Sequence, residues 1–339
     1  MKTLLPNAST LNDAIRGMLT EAKIAPSTRR FYRYGWQSIA NQIMLREIVK
    51  ITPGDLFTLV DAWRGKPGTH NAIVALLKRT FKWAIRNGLV SSNPAQHLCT
   101  MPTGSWHRWE ESEIQQFKQE TFSPRMNLAL DLALYTGQRE SDILSLRFSQ
   151  INLVGGTIEF EQQKTGTRLV IPIHPALKKR LIEIYAGFLD RKLESGSFRN
   201  WAIYPDRDIA EKEVLTHAHL LEATQTNVLA NVPFRNDEAF TAYKLNPTPT
   251  LALSASAFRA AFNRHLKKIG LEDRGLVFHG LRKSAISRLI ESGCTAHEAA
   301  AISGHKSIRS LEIYVQIHQQ KQMAEGALKK MLANPDFSA

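Results

Sequence analysis

HGLRKSAISRLIESGCTAHEAAAISGHKSIRSLEIY, residues 279–314, is the stretch that decides how this chain reads. His279 and Arg282 are three apart, so on a helix they share a face and aim at one target. A histidine with an arginine suits an anion that needs both charge and proton traffic. Gly304-His305 reads as a turn opening the next helix, with His305 near its start. Tyr314 follows nine residues after His305. Each feature alone is commonplace, and a His-x-x-Arg pair is usually a surface face. Their order and spacing together are not commonplace.

Working outward, the chain has 339 residues, a length suited to about two domains. Its hydrophobic content of 43% is enough for real cores. A net charge of +13 and a pI near 9.8 favour a polyanionic partner, nucleic acid before an anionic membrane surface. Cys99 and Cys294 are the two cysteines, too few for a disulfide framework or a metal cluster, and they fit a reducing compartment. No apolar run reaches the ~18 residues that span a bilayer, and the N-terminus has too short an apolar core for a signal peptide. The expectation is a cytoplasmic protein. Residues 1–102 hold 14 Lys+Arg and 5 Asp+Glu, so +9 of the total +13 lies in the first third.

That first third reads as helices. Ser9 or Thr10 caps one over 9–23, with Leu11, Ile15, Met18 and Leu19 as its stripe. Ser27 caps a second, with Arg29, Arg30, Arg33, Trp36, Ile39 and Ile43. Thr52-Pro53 opens a third through Leu56, Leu59 and Trp63, which Gly65-Lys66-Pro67-Gly68 ends. Thr69 caps a fourth that Gly88 stops, with Lys78, Arg79, Lys82 and Arg86 on its polar face. Those cations suit backbone phosphates. The alternative is an ordinary solvated basic face. The aromatics follow helical spacing and read as core. Residues 91–104 form the linker candidate, which divides the chain into 1–102 and 103–339.

In the second part, Met126–Tyr135 reads as a buried helix ending at Thr136-Gly137. Arg139 follows at a helix start, and Asp142 three residues on can brace it; pairing with Asp142 is also the bland account of a buried Arg139. Thr157–Glu161 and Leu169–Ile173 read as a hairpin with Lys164 at its tip, and Pro172 marks an edge strand. A lysine on a hairpin turn is usually just solvated. Pro175 opens a helix through Ile184. Residues 198–250 read as an insertion with short apolar pieces, Val228-Leu229 among them; His217 and His219 in it lack partners at metal-ligand spacing. Helices are expected over 254–269, 279–292, 295–302, 307–316 and 319–332.

In order the chain supplies Arg139, Lys164, His279, Arg282, His305 and Tyr314. With Thr136-Gly137-Gln138-Arg139, Asp142, His279-Gly280-Leu281-Arg282 and Gly304-His305, this resembles the tyrosine recombinase family, the lambda-integrase-like enzymes of phages and genomic islands. The resemblance covers nearly the whole chain. It implies a mainly α fold with a small β-sheet: an N-terminal helical core-binding (SAM-like) domain over about 8–98 and a C-terminal α+β catalytic domain over about 105–334. It also implies a double-stranded DNA substrate, a 3′-phosphotyrosyl intermediate, no cofactor and no metal. Four protomers would act on two DNA sites, with accessory DNA-bending or directionality factors as further partners. Arg139 and Arg282 would hold the transition-state charge, Tyr314 would attack, and His279 would take its proton. His305 would donate to a non-bridging oxygen, and Lys164 would protonate the leaving 5′-hydroxyl. Breaking a phosphodiester asks for roughly 20 kcal/mol of barrier lowering. Neither a Walker A stretch nor an acidic metal cluster is needed, because the covalent link stores the bond energy.

The insertion separates hairpin from His-x-x-Arg helix more than the simplest members require. Only about eight residues precede the first helix, so a form without an arm-binding domain is expected. Two competing readings are a type IB topoisomerase, with the same covalent chemistry at single sites, and a non-catalytic DNA-binding protein on the same fold.

Overall fold

The computed structural model describes residues 10–39, 41–120, 123–193, 228–229 and 254–333. They fall into two compact units, Met1–Ser105 and Trp106–Ala339.

The first unit is helical: α1 (Leu11–Glu21), α2 (Pro26–Gln37), a short α3 (Asn41–Met44), α4 (Pro53–Asp61) and α5 (Pro67–Arg86). Thr10 and Thr52 each start a helix through a capping box, with Asp13 and Asp55 as the reciprocal partners. Leu11, Ile15, Met18, Leu56, Ile73, Leu76 and Phe81 are fully buried. Removing each aliphatic side chain from water contributes about 1.5–3 kcal/mol before entropy is counted.

Proline moved two predicted starts. Pro26 and Pro67 already occupy the first helical turn, so Ser27 and Thr69 lie inside their helices rather than capping them. Thr69 instead hydrogen-bonds Tyr34 Oη at 2.7 Å, tying α5 to α2. The second helix ends at Gln37, so Ile39 and Ile43 lie beyond it, and Trp63 lies past the end of α4.

The second unit contains α6 (Glu111–Glu120), α7 (Pro124–Thr136) and α8 (Glu140–Leu144), then β1 (Ile151–Asn152), β2 (Thr157–Glu161) and β3 (Arg168–Pro172). It continues with α9 (Pro175–Leu193), α10 (Ala255–Lys268), α11 (Phe278–Glu291), α12 (Ala296–Ser303) and α13 (Arg309–Leu332). The sheet is antiparallel in the order β1-β2-β3, with Ile158 opposite Ile171. Pro172 sits on an edge strand, as read. β1 was not anticipated: two residues carry no alternation.

α7 is apolar around its circumference, with Leu128, Leu130 and Leu132 fully buried, and it packs against α11 and α9. Beside it, Trp109, Phe117, Phe258, Phe262 and Phe278 form an aromatic cluster with ring centroids 5.1–6.2 Å apart.

Three expectations change here. α9 runs past Ile184 to Leu193. Residues 309–332 form one helix rather than two, because nothing between 316 and 319 breaks it. Val228 and Leu229 are fully buried in the core, and the Val228 N–H donates to the Leu146 carbonyl at 2.9 Å. The rest of 198–250, His217 and His219 included, lies outside the described residues.

The segment entering this unit is fastened along α11. Lys283 Nζ donates to the Trp106 carbonyl at 2.7 Å, and Ser284 Oγ donates to the Trp109 carbonyl at 2.9 Å. Trp109 Nε1 donates to the Val277 carbonyl at 3.0 Å. Arg108 pairs with Glu291 at 2.7 Å, and Arg288 pairs with Glu111. Gly280 permits this approach, since a Cβ there would collide with the His107 carbonyl oxygen.

Candidate active site

The site starts from the end of α7. Gly137 closes that helix in the left-handed region, φ 60°, where an added Cβ would lie against Ser303 and Ala285. The turn delivers Arg139 to the N-cap of α8 and leaves the Gly137 carbonyl pointing inward. Arg282, on the buried face of α11 and only 4% exposed, donates to that carbonyl through Nη1 at 2.7 Å. Its Nη2 lies 3.2 Å from both ring nitrogens of His305. Burial, then the charge of Arg139, lowers the Arg282 pKa to about 10, so it stays cationic at neutral pH.

Arg139 donates through Nη1 to Gln162 Oε1 at 2.9 Å. Asp142 is 3.9 Å from the same nitrogen, a looser brace than expected. The buried Asp142 carboxylate accepts instead from the Gln163 N–H at 3.0 Å.

Both histidines are held neutral. Burial, then the charges of Arg282 and Arg139, pushes His305 down to about 4. Burial, then Arg282, Arg139, Lys283 and Lys164, lowers His279 below its ordinary value. Ser303 Oγ lies 2.6 Å from the Ala299 carbonyl and 2.7 Å from His305 Nδ1. With its one proton on that carbonyl it accepts from Nδ1–H; turned to give the proton to Nδ1 it releases the carbonyl, and only then does neutral His305 carry an Nε2–H to donate.

Tyr314 is half-buried on α13, packed with Ile286, Ile290, Ala299 and Leu311. Burial raises its pKa, against the pull of Arg282 and Arg108, so the phenol is protonated at neutral pH. Lys164 is exposed on the turn after β2, within electrostatic reach of His279. The structure thus gathers Arg139, Lys164, His279, Arg282, His305 and Tyr314 about one neighbourhood.

Sequence reasoning missed Gln162 and Ser303, and it gave Gln138 a place in a motif but no role. Gln162 was legible in principle. It continues the inward parity of Ile158 and Phe160 on β2, and a polar residue there needs a buried partner.

The basic residues of the first unit divide. Arg79, Lys82 and Arg86 line a groove with Lys23, whereas Arg33 lines another with Arg16. Arg30 is exposed and Lys78 half-exposed. Arg29 is engaged elsewhere: its guanidinium donates to the Leu19 carbonyl at 2.7 Å and the Ala22 carbonyl at 3.5 Å, capping the end of α1. No group of residues able to hold a metal ion occurs among the described residues, and no described helix is long and apolar enough to cross a membrane.

The chain belongs to the phage integrase family, whose profile matches residues 108–321, well over half its length. It is 27% identical over 168 residues to an integrase of Escherichia phage HK022, covering 48% of this chain and 46% of that one. It is 25% identical over 291 residues to the shufflon-specific DNA recombinase of Escherichia coli, covering 81% and 60%. The chain therefore spans about half the length of these relatives. A lambda integrase dimer bound to a COC′ core site matches with a TM-score of 0.60 at 21% identity, over 90% of this chain and 95% of that one. The Tn1549 transposon integrase with circular intermediate DNA matches at 0.62 and 14% identity, over 94% and 100%. These two structural likenesses speak for the fold alone.

Proposed function

We propose that this protein is a tyrosine-type site-specific DNA recombinase that integrates or excises a mobile element such as a prophage or genomic island. The observation that carries the reading is the convergence of two arginines, two neutral histidines, an exposed lysine and a half-buried tyrosine in a chain of this family. Tyr314 Oη attacks the scissile phosphorus, and the P–O5′ bond breaks as the P–Oη bond forms. His279, neutral at working pH, takes the phenol proton, while Lys164 gives one to the leaving 5′-oxygen. Arg139 and Arg282 hold the non-bridging oxygens, and His305 donates to one of them through Nε2. Attack by a 5′-hydroxyl on the 3′-phosphotyrosine reverses these steps and joins a new strand. No metal or cofactor enters.

Arg30, Arg33, Lys78, Arg79, Lys82 and Arg86 would contact duplex phosphates, with Arg29 structural instead. The first unit is then the core-binding domain and the second the catalytic domain. The test is covalent trapping on nicked duplex DNA from sequence flanking the gene. An SDS-resistant adduct whose proteolysis yields nucleotide on the Tyr314 peptide supports the reading. Binding without any adduct turns it toward the non-catalytic alternative, and single-site relaxation without strand exchange toward the topoisomerase.

Assembly follows from the same reading. The lambda integrase has been captured as a tetramer on a Holliday junction. In this chain Ile317, Met323, Leu328, Met331 and Leu332 on α13 are each more than half exposed. They would dock on a neighbouring protomer. Deleting 319–339 is expected to abolish pairing of two DNA sites while single-site binding survives. Unchanged recombination by the truncated protein in a plasmid assay counts against docking in trans.

A further inference from the structure

Gln162 is fully buried at the end of β2, and its side-chain amide makes four hydrogen bonds. Oε1 accepts from Arg139 Nη1 at 2.9 Å and from Thr165 Oγ1 at 2.8 Å. Nε2 donates to Gln138 Oε1 at 2.7 Å and to the Ser303 carbonyl at 2.9 Å. A guanidinium only donates and a carbonyl only accepts, so the amide cannot be turned over without breaking both contacts. Gln138 in turn donates to the Thr136 carbonyl at 3.0 Å and the Ile302 carbonyl at 2.8 Å. The space comes from Gly304, where a Cβ would collide with Gln162 Nε2.

These bonds reach three separate parts of the site. One holds Arg139. One holds Thr165, next to Lys164, in a turn closed by the Gly166 N–H donating to the Gln162 carbonyl at 2.7 Å. One holds Ser303, whose hydroxyl meets His305 Nδ1. The residue type matters as well. A glutamate would turn an acceptor oxygen toward the Ser303 carbonyl, and its charge would neutralise Arg139. The neutral amide orients Arg139 without adding a second carboxylate to the one that Asp142 already places 3.9 Å away.

We propose that Gln162 is a positioning residue that sets Arg139, the Lys164 turn and His305 in mutual register for strand cleavage. The inference rests on the recombinase reading above. Displacing reacting groups by about 1 Å costs on the order of 100-fold in rate.

The test is single-turnover cleavage of a nicked duplex by the full-length protein, on ordinary DNA and on DNA with sulfur replacing the bridging 5′-oxygen. A thiolate leaves without needing a proton, so the sulfur substrate bypasses Lys164. Gln162→Met keeps the length and loses the amide. It is expected to bind DNA as wild type does and to cleave about 10- to 100-fold more slowly. Gln162→Glu is expected to be slower still. Thr165→Val, which leaves the buried amide in place and serves if Gln162→Met fails to fold, is expected to lose rate on ordinary DNA and regain most of it with sulfur. A merely structural defect would not be rescued by changing the leaving atom. Cleavage by Gln162→Met within twofold of wild type, or a Thr165→Val deficit equal on both substrates, overturns the proposal. No adduct from wild type on either substrate overturns the recombinase reading beneath it.

Discussion

Tyr314→Phe is expected to remove the covalent protein–DNA adduct entirely and leave the fold and DNA binding as they were. The ring packs with Ile286, Ile290, Ala299 and Leu311, and phenylalanine keeps those contacts. The change at the ring edge should therefore alter stability by no more than about 0.5 kcal/mol. In the recombinase reading the phenol forms the bond to phosphorus while histidine, lysine and arginine manage protons and charge. Its raised pKa means that proton removal must accompany attack, and His279, kept neutral by burial and four nearby cations, is suited to it. The measurement pairs denaturing gels for the adduct with a gel shift and a thermal melt. An adduct retained by the variant would put the nucleophile elsewhere.

Arg282 carries the second large effect. Arg282→Ala should slow cleavage by about 10³–10⁵-fold, the scale on which a single arginine acts in phosphoryl transfer. It also strips the inward Gly137 carbonyl of its donor, which costs about 1–3 kcal/mol of stability. Arg282→Lys should restore charge but little rate, because an ammonium cannot span the carbonyl and His305 together as the fork does. The same substitution to alanine has a spectroscopic consequence. His305 is held near 4 by burial first and by Arg282 next, so removing the guanidinium should move its pKa upward toward 6.5. An imidazole titration by NMR reads this directly. A variant that cleaves within tenfold of wild type, or a His305 that does not move, contradicts the assigned role.

Much of this was legible in the sequence because it is local. Thr10 and Thr52 announce helix starts with an acid three residues on, and Gly137 ends an apolar helix in the one conformation that favours glycine. His279 and Arg282 share a helix face at any packing. What could not be read is what tertiary packing decides. The inward parity of Gln162 was readable, but its partner Ser303, 141 residues away along the chain, was not. Val228 joins the core through the Leu146 carbonyl, a contact with no local signature. Arg29 looked like its neighbours Arg30 and Arg33 until the α1 carbonyls took its guanidinium. Proline displaced the serine and threonine expected to cap α2 and α5, since a ring that presets φ opens a helix without a side-chain cap.

The fastening of residues 106–111 along α11 has a mechanical consequence. Tension on the chain entering at Trp106 is not absorbed by slack, because the first anchor is Lys283, one residue from Arg282. The Trp109 side chain grips Val277, two residues before His279, and its carbonyl grips Ser284, two residues after Arg282. The load path therefore brackets the His-x-x-Arg pair, and a pull on residues 106–109 reaches His279 and Arg282 through Val277, Lys283 and Ser284.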